Sequence, residues 1–379
     1  MFEPQVRKKV LLYLGKFPGY GFDVDGGSIL ARQLIDILKV NTILDVVFIR
    51  KNRETFEDSL VHNIRYVEYI DAFNNKFIRR LKNLETNVDA IGNYSLYDII
   101  ITAHVSKFFG FENAPKEFWE KTVLFPMFCT SSYQLAGENV PLWYTQMEDY
   151  VINNVRKIIT PSQTECQKLC EDYHCNPNKI TVIPRGINPL FTCPKTHTLT
   201  QTCKLVYIAS IKPQKNNLEA VKLLKMLSES SKLYELHLVC TIQDASIYNK
   251  IKEYITEYQL YNSIFFHIGL SQQEIAALLQ QMDINISVSN WETFGRGIYE
   301  GISSGLPTFV FSRLKAVKEL CGSNLGVVFC NDLDEMKKSI EKISFSQENY
   351  NHARTQLYTI ADKVSYQTEQ KRLIHELLR

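Results

Sequence analysis

The chain has 379 residues, with 43 Lys and Arg against 41 Asp and Glu, a net charge of +2 and 45% hydrophobic residues. This length predicts two domains, each large enough to bury its own core. The composition is near the globular average, which argues against a disordered chain, a collagen-like fibre or a small disulfide scaffold. A nearly neutral charge gives no reason to expect nucleic acid as a partner.

The beginning of the chain, MFEPQVRKKV, is charged and lacks the apolar run of a signal peptide. No stretch approaches the roughly 18 apolar residues that a membrane span needs. There are nine cysteines, and the spacing of Cys166, Cys170 and Cys175 fits neither a C-x-x-C zinc site nor a redox pair. We therefore expect a cytoplasmic protein whose thiols are reduced.

The first half of the sequence alternates between strand and helix patterns. A short apolar strand at 9–14 is followed by a glycine-rich turn over 15–27 and by a helix from Ser28. Further strands are predicted at 43–49, 66–70, 97–102, 122–128, 157–160 and 179–183. Helical patterns between most of them indicate a doubly wound parallel sheet.

A Thr- and Pro-rich segment over 189–203 has no periodicity and is predicted to link two domains. Beyond it a helix is predicted at 218–227, and Ser271 with Glu274 has the pattern of a capping box at the start of another. The predicted strands are 205–209, 235–240, 264–268, 284–288, 308–311 and 327–330. The fold class is therefore α/β, with two domains facing across a cleft that the carboxyl ends of their strands line.

The first turn reads GKFPGYGFDVDGG and contains no G-x-G-x-x-G in any register, which argues against a dinucleotide enzyme. The second strand runs into Arg50 and Arg53 where an NAD site would have an acid, so NADP is the surviving dinucleotide alternative. Gly26 and Gly27 precede a helix, where backbone amides can approach an anion closely. The other interpretation is a tight turn without a ligand.

The most informative segment is SVSNWETFGRGIYEGISSGLP at 287–307. Glu292 lies in a predicted loop after a strand, and Glu300 lies in the following helix, which begins near Gly295. Carboxylates accept several hydrogen bonds from neutral hydroxyls, so the pair suits a sugar and a ribose diol. The alternative is two glutamates on the solvated face of an ordinary helix.

This segment resembles the Glu–seven–Glu motif of retaining GT-B glycosyltransferases of the family 4 type. Three other segments are similar to family motifs in the same order along the chain: KIITPSQTECQKL at 157–169, KITVIPRGINPLF at 179–191 and IASIKPQKN at 208–216. The resemblance implies the GT-B fold, two Rossmann-like domains facing across a cleft. It places acceptor binding in 1–190 and donor binding in 204–355, with a helical tail over 356–379 that crosses back to the first domain.

The resemblance also implies a reaction, the transfer of a sugar from a UDP- or GDP-sugar to an acceptor hydroxyl with the anomeric configuration retained. Transfer would be front-face and metal-independent. No metal or cofactor is expected, since the nucleotide sugar is a substrate. The acceptor class stays open among glycans, lipids, peptides and small molecules.

Residue roles follow from the same resemblance, position by position. The residues implied to contact the donor diphosphate are Lys215, Gly27, Ser210 and Lys212. Those implied to contact the donor sugar are Glu292, Thr293, Phe294 and Gly295. Glu300 is implied to bind the nucleotide ribose, and the catalytic residues are implied to be Glu292 and His104.

One departure from the family pattern supports a second hypothesis. Ser210 stands where the family has a diphosphate-binding Arg, and Lys212 could replace it only as a point charge. A non-catalytic GT-B subunit that binds acceptor and supports a partner glycosyltransferase is therefore the alternative function.

Two further features have open interpretations. Asp23 and Asp25 form an Asp-x-Asp for which a metal–diphosphate site, an acceptor contact and plain turn chemistry are all possible. A helix is predicted over 73–84, with Phe73, Phe77, Leu81 and Leu84 on one side and Lys76, Arg79, Arg80 and Lys82 elsewhere. It would either make weak contact with the inner face of an anionic membrane or pack its apolar stripe onto the sheet.

Overall fold

The computed structural model describes residues 7–15, 26–50, 55–70 and 72–378. Contacts divide the chain into two compact units. The first unit contains the described residues up to Ile183 together with those from Gln370 onward, and the second contains Pro184–Glu369. The segment 189–203 belongs to the second unit, where Arg354 Nη2 donates to the Pro194 carbonyl at 2.8 Å.

The first unit is built on a parallel sheet with the order β3-β2-β1-β4-β5-β6-β7. Its strands are β1 (Lys9–Leu14), β2 (Ile43–Arg50), β3 (Asn63–Glu68), β4 (Ile99–Ala103), β5 (Thr122–Phe125), β6 (Lys157–Thr160) and β7 (Ile180–Val182). Its helices are α1 (Gly26–Asn41), α2 (Lys76–Leu81), α3 (Leu84–Ile91), α4 (Lys116–Trp119), α5 (Thr130–Leu135), α6 (Leu142–Asn154) and α7 (Gln163–Tyr173).

The second unit has a parallel sheet with the order β10-β9-β8-β11-β12-β13. Its strands are β8 (Thr202–Ile208), β9 (Leu233–Cys240), β10 (Ile264–Ile268), β11 (Ile284–Ser287), β12 (Thr308–Phe311) and β13 (Val327–Cys330). The helices are α8 (Asn217–Leu227), α9 (Ala245–Glu257), α10 (Gln272–Leu279), α11 (Arg296–Ser303), α12 (Lys315–Cys321), α13 (Leu333–Ser344) and α14 (Gln347–Lys363). A last helix, α15 (Tyr366–Leu378), begins in the second unit, and its residues from Gln370 onward belong to the first. Two parallel sheets with helices confirm the predicted α/β class, and the capping box of Ser271 and Glu274 is present.

Two predicted strands of the first unit differ from the structure by three residues at one end. The predicted strand 122–128 ends at Phe125, because Pro126 has no N–H to continue the ladder. The predicted strand 66–70 begins earlier, at Asn63, and ends at Glu68. This strand lies at the sheet edge and is only partly buried. Its bounds therefore follow from its pairing with β2, which the apolar pattern of the sequence does not reveal.

The prediction of one amphipathic helix over 73–84 is wrong. Asn75 starts α2 by accepting the N–H groups of Phe77 and Ile78, so Phe73 lies before the helix. After Leu81 the chain is interrupted by Asn83, whose side-chain amide bonds to both backbone groups of Ile70. The Asn83 Nδ2 also donates to the Arg79 carbonyl at 2.6 Å, and a side-chain bond to the helix backbone of this kind competes with helix continuation. Phe77 is buried but Leu81 is 41% exposed, so no continuous Phe/Leu stripe forms.

Strand order reverses once in each sheet, between β1 and β4 in the first unit and between β8 and β11 in the second. Loops that leave such neighbouring strands in opposite directions open a crevice at the carboxyl ends, where ligands of open α/β sheets bind. His104 follows β4 directly, and Ser210 follows β8 after one residue. The chain order therefore places candidate residues at both reversal points.

In the described part of the chain, no helix combines the length and the apolar character that crossing a bilayer requires. The nine cysteines are all described, and none of them forms a disulfide.

Asn87 in α3 holds the turn that follows His104. Its Nδ2 donates to the carbonyls of Ser106 and Phe109 at 2.9 and 3.0 Å, and the Tyr13 hydroxyl donates to its Oδ1 at 2.9 Å. Because the side chain is buried, water could not hydrogen-bond to these three partners if the amide were removed.

We expect Asn87→Ala to lower the free energy of unfolding by about 2–4 kcal/mol, because three buried polar groups lose their partner. Urea titration followed by tryptophan fluorescence would measure the loss. Asn178→Ala, which removes an exposed amide from the same unit, should change it by no more than about 0.5 kcal/mol. Equal midpoints for the two variants would contradict this account.

Candidate active site

The loop that follows β8 carries three of the predicted site residues. Ser210 Oγ accepts a hydrogen bond from Thr241 Oγ1 at 3.0 Å, which ties the ends of β8 and β9 together. Lys212 precedes a single 3₁₀ turn over Pro213–Lys215. Asn216 then adopts a left-handed conformation with φ +53°, and α8 begins at the next residue. The turn is short, so Lys215 is held close to the strand end.

Lys215 and Glu292 form an ion pair at the strand reversal of the second sheet. The Lys215 Nζ lies 2.6 Å from one carboxylate oxygen of Glu292 and 2.8 Å from the other. The two side chains are only 17% and 9% exposed. Each ion therefore offsets most of the desolvation cost of the other, and removal of either would leave a poorly solvated charge.

Two residues that the sequence analysis missed hold this pair in place. Ser289 Oγ donates to Glu292 Oε1 at 2.8 Å, and the Tyr207 hydroxyl lies 2.9 Å from Ser289 Oγ. The same Tyr207 hydroxyl donates to the Lys215 carbonyl at 2.5 Å. Burial raises the pKa of Tyr207, so its hydroxyl stays a donor. A buried tyrosine in a strand has no sequence signal that separates it from core.

Glycines bring α11 close to the end of β8. Gly295, the residue before the helix, has φ +87°, which a residue with a Cβ rarely adopts. A Cβ on Gly297 would lie 2.5 Å from the Ile208 carbonyl oxygen, so only glycine permits this approach. Phe294 is buried and stacks on Tyr299 with ring centroids 4.5 Å apart. A ligand would therefore meet the backbone of Phe294 and not its ring.

Glu300 lies on the buried face of α11 and is 4% exposed. Burial raises the pKa of its carboxyl to about 7, and the positive charge of Arg296 opposes that rise. Among the described residues, none donates a hydrogen bond to this carboxyl. Arg296, four residues earlier, donates from Nη1 to the Gly186 carbonyl at 3.1 Å. The sequence analysis gave Arg296 no role.

His104 in the first unit has a strained backbone, with φ +136°, directly after β4. The Ser106 N–H donates to its Nδ1 at 3.2 Å, so the neutral ring carries its proton on Nε2. Nε2 lies 3.1 Å from both the Tyr133 hydroxyl and Arg80 Nη2. Burial, followed by the charges of Arg80, Lys107 and Lys76, lowers the pKa of His104 well below its usual value. The imidazole is therefore neutral at physiological pH.

The structure places the predicted residues in two groups. Those in the second unit are Ser210, Lys212, Lys215, Glu292, Thr293, Phe294, Gly295 and Glu300, all on the β8 and β11 loops or on α11. Gly27 lies in the first turn of α1, in the first unit with His104. Asp23 and Asp25 lie outside the described residues. Within the described ranges no three His, Cys, Asp or Glu side chains are grouped to hold a metal.

Two family models match the chain in succession. The model described as Glycosyltransferase Family 4 matches residues 45–190, and the one described as Glycosyl transferases group 1 matches residues 194–359. A curated relative, the MMP alpha-(1->4)-mannosyltransferase of Mycolicibacterium hassiacum, is 26% identical over 203 residues. That match covers 51% of this chain and 47% of the relative, so the chain spans about half the length of the relative.

Similar solved structures have low sequence identity and cover almost the whole chain. Sucrose-phosphate synthase from Thermosynechococcus elongatus has a TM-score of 0.78 at 15% identity, over 98% of this chain and 99% of that one. A glycosyltransferase from Rickettsia africae has a TM-score of 0.72 at 18% identity, with the same coverage. Anabaena HepE in complex with UDP and glucose has a TM-score of 0.73 at 15% identity, again with that coverage.

These likenesses establish the fold alone. The family models go further, because together they span residues 45–359 and leave only 191–193 between them. The chain belongs to the GT-B glycosyltransferases of the family 4 type.

Proposed function

We propose that this protein is a retaining glycosyltransferase that moves a sugar from a UDP- or GDP-sugar to an acceptor hydroxyl, by front-face transfer without a metal. The observation that carries the proposal is the Lys215–Glu292 ion pair at the strand reversal of the second sheet. The mannosyltransferase likeness supports a hexose as the transferred group. The HepE structure, which holds UDP and glucose, supports a nucleotide sugar as the donor.

The ion pair suits a site that receives a diphosphate and a sugar together. A diphosphate would compete with Glu292 for the Lys215 ammonium, since both are anions that accept its N–H groups. Glu292, once released, would have oxygens available for the hydroxyls of the sugar. Donor binding thus replaces the ion pair by a contact between Lys215 and the diphosphate and by hydrogen bonds from sugar hydroxyls to Glu292.

In the proposed reaction the bond between the anomeric carbon and the diphosphate oxygen breaks while the acceptor oxygen bonds to the same face of that carbon. The proton of the acceptor hydroxyl passes to the leaving phosphate oxygen. Lys215 stabilises the negative charge that grows on the leaving group, a role for which a fixed cation in a dry site is well suited. Ser210 and Lys212 lie on the same loop as Lys215 and are proposed to contact the diphosphate with it.

Three further assignments complete the donor site. Glu300 is proposed to hold the ribose, because its buried carboxyl has no described donor of its own and a diol would supply two. The neutral imidazole of His104 is proposed to donate to an oxygen of the transferred sugar. Contacts from Gly27 and from the acidic residues Asp23 and Asp25 stay predictions, as do a cytoplasmic location and a weak contact with a membrane.

One observation favours the second candidate, a non-catalytic subunit that binds acceptor and supports a partner enzyme. Ser210, where the family has an Arg, accepts a hydrogen bond from Thr241 Oγ1 and offers no positive charge to a diphosphate. Donor turnover separates the two candidates, since a supporting subunit would release no nucleotide from any donor.

We expect Glu292→Gln to reduce the release of nucleoside diphosphate at least 100-fold, because the amide breaks the pair with Lys215 and accepts fewer hydroxyls. Release would be measured with a panel of UDP- and GDP-sugars. Glu219→Gln is the matched control, since Glu219 also pairs with a lysine at 2.6 Å, on the outside of α8. A wild-type chain without turnover, or equal turnover in both variants, would refute the assignment.

Lys215→Met should weaken the binding of UDP or GDP at least tenfold, because the diphosphate loses its cation. Titration calorimetry with Mg²⁺, and again with EDTA, would measure the dissociation constants. The metal-independent proposal requires similar affinities under both conditions. Lys222→Met removes the control pair's cation and should leave the affinity within twofold of wild type.

Glu300 should make stability depend on pH. With its folded pKa at about 7 and an unfolded value near 4.5, the folded state holds one more proton between these values. The free energy of unfolding therefore falls as pH rises from about 5 to 8, by up to about 3 kcal/mol.

Glu300→Gln stays neutral and should lack this loss, so its stability advantage over wild type grows toward pH 8. Urea titrations of both proteins at pH 5 and pH 8 measure the difference. The Glu219→Gln control should follow the wild-type curve. Parallel curves for wild type and Glu300→Gln would contradict the raised pKa.

A further inference from the structure

Arg80 of α2 lies among aromatic rings in the first unit. Its Nη1 donates to the Tyr144 hydroxyl at 3.0 Å, and its Nη2 donates to the Tyr133 hydroxyl at 2.7 Å. The guanidinium carbon lies 5.9, 5.3 and 5.2 Å from the ring centroids of Phe77, Tyr133 and Tyr144. His104 Nε2, at 3.1 Å, is the remaining described contact of Nη2. Every one of these groups is uncharged.

No carboxylate lies within 4 Å of this guanidinium among the described residues. Glu138 is occupied by an ion pair with Lys76. Glu148, whose field reaches Arg80, accepts the Thr130 N–H at 2.7 Å and the Tyr173 hydroxyl at 2.5 Å through Oε2, while its Oε1 has no described hydrogen-bond partner. Arginine cannot shed its proton, and a partly buried charge without a counter-ion is costly. An anion from outside the chain would remove that cost.

Two lysines add to the positive charge at this place. Lys76 Nζ lies 4.3 Å from the centroid of the Tyr133 ring. Lys107 Nζ lies 5.3 and 5.0 Å from the ring centroids of Tyr13 and Tyr69. With Arg80, these two residues are the cations that act on His104. All three cations act on one neutral imidazole, and the charge of Lys76 is balanced by its pair with Glu138.

The position of this group of side chains is that of a ligand site. His104 follows β4, which adjoins β1 at the strand reversal of the first sheet, where open α/β sheets bind ligands. Arg80, Lys76 and His104 are all partly exposed, so a solute can reach them. The Tyr133 and Tyr144 rings beside them are buried, so recognition of a ligand would fall to the charged groups.

We propose that Lys76, Arg80, His104, Lys107 and Tyr133 form an acceptor subsite that recognises a carboxylate or phosphate group on the acceptor. The acceptor would be a sugar acid or a phosphorylated sugar. Arg80 would take the anion with its guanidinium, and the lysines would supply a surrounding positive field. This proposal rests on the proposed function, which places acceptor binding in the first unit. It revises the sequence-based hypothesis for these basic residues, since Lys76 and Arg80 contact the unit's own aromatic side chains.

The test uses glucose 6-phosphate and glucuronate as anionic probes and glucose as the neutral one, with binding measured by titration calorimetry. The full chain carries Lys215→Met throughout, so that a phosphate cannot report on the diphosphate site. We expect the anionic probes to bind at least tenfold more tightly than glucose. Adding Arg80→Gln should weaken the binding of the anionic probes at least tenfold and leave the affinity for glucose unchanged. Arg80→Lys should retain part of the preference for anionic probes over glucose.

Lys82→Gln is the matched control, because it removes one charge from the exposed end of the same helix. This variant should keep the affinities for all three probes within twofold of those of the Lys215→Met chain. If Arg80→Gln does not fold, Lys76→Gln replaces it, and its expected loss for the anionic probes is at least threefold. Equal losses in the Arg80 and Lys82 variants, or equal affinities for charged and neutral probes, would overturn the proposal.

The donor is a second possible source of the anion, and a parallel titration distinguishes it. With native Lys215, UDP-glucuronate is compared with UDP-glucose. An Arg80-dependent preference for UDP-glucuronate would place the anion on the donor and overturn the acceptor assignment. Nucleotide binding without selectivity for anionic probes would overturn this inference alone. Anion binding without any nucleotide binding would overturn the proposed function and the acceptor role with it.

Discussion

Lys215 and Glu292 meet because the order of parallel strands reverses between β8 and β11. Each residue lies on the loop that leaves one of these strands, so 77 residues of sequence separate two side chains in direct contact. The contact also needs α11 to begin close to β8, which Gly297 permits because a Cβ there would strike the Ile208 carbonyl. The sheet topology therefore brings Lys215 and Glu292 together, and Gly297 allows α11 to begin close to them.

Charge compensation distinguishes three kinds of buried group in this chain. Lys215 and Glu292 neutralise each other, so a ligand that takes one must also satisfy the other. Burial raises the pKa of Glu300 and so favours its neutral form. A carboxyl in this state suits a neutral partner with hydroxyl groups. Arg80 keeps its charge among tyrosine hydroxyls and aromatic rings, which suits the anionic partner proposed for it. The chemistry of each group thus indicates the chemistry of its partner.

The sequence predicted the strand and helix alternation, the capping box of Ser271 and the positions of the two glutamates relative to α11. These features are local, and periodicity or spacing reports them. It failed for the helix over 73–84, because Asn75 and Asn83 stop α2 through hydrogen bonds that periodicity cannot show. Tyr207 and Ser289 were missed for a related reason. Their importance lies in contacts with residues up to 82 positions away, and no short pattern encodes such contacts.

The backbone of His104 connects the fold of the first unit to its chemistry. A residue with a Cβ at φ +136° costs about 1–3 kcal/mol, and such strain persists only where surrounding contacts hold it. Here the Ser106 N–H fixes Nδ1, and Asn87 binds the Ser106 carbonyl from α3. The ring is thereby turned with its Nε2 proton toward the Tyr133 hydroxyl, which can accept it. An anion on Arg80 would offset the positive field at this ring and raise the pKa of His104 toward its usual value. The proposed binding of an anion at Arg80 would therefore be linked to the protonation of His104, and the strained turn would fix the geometry of that link.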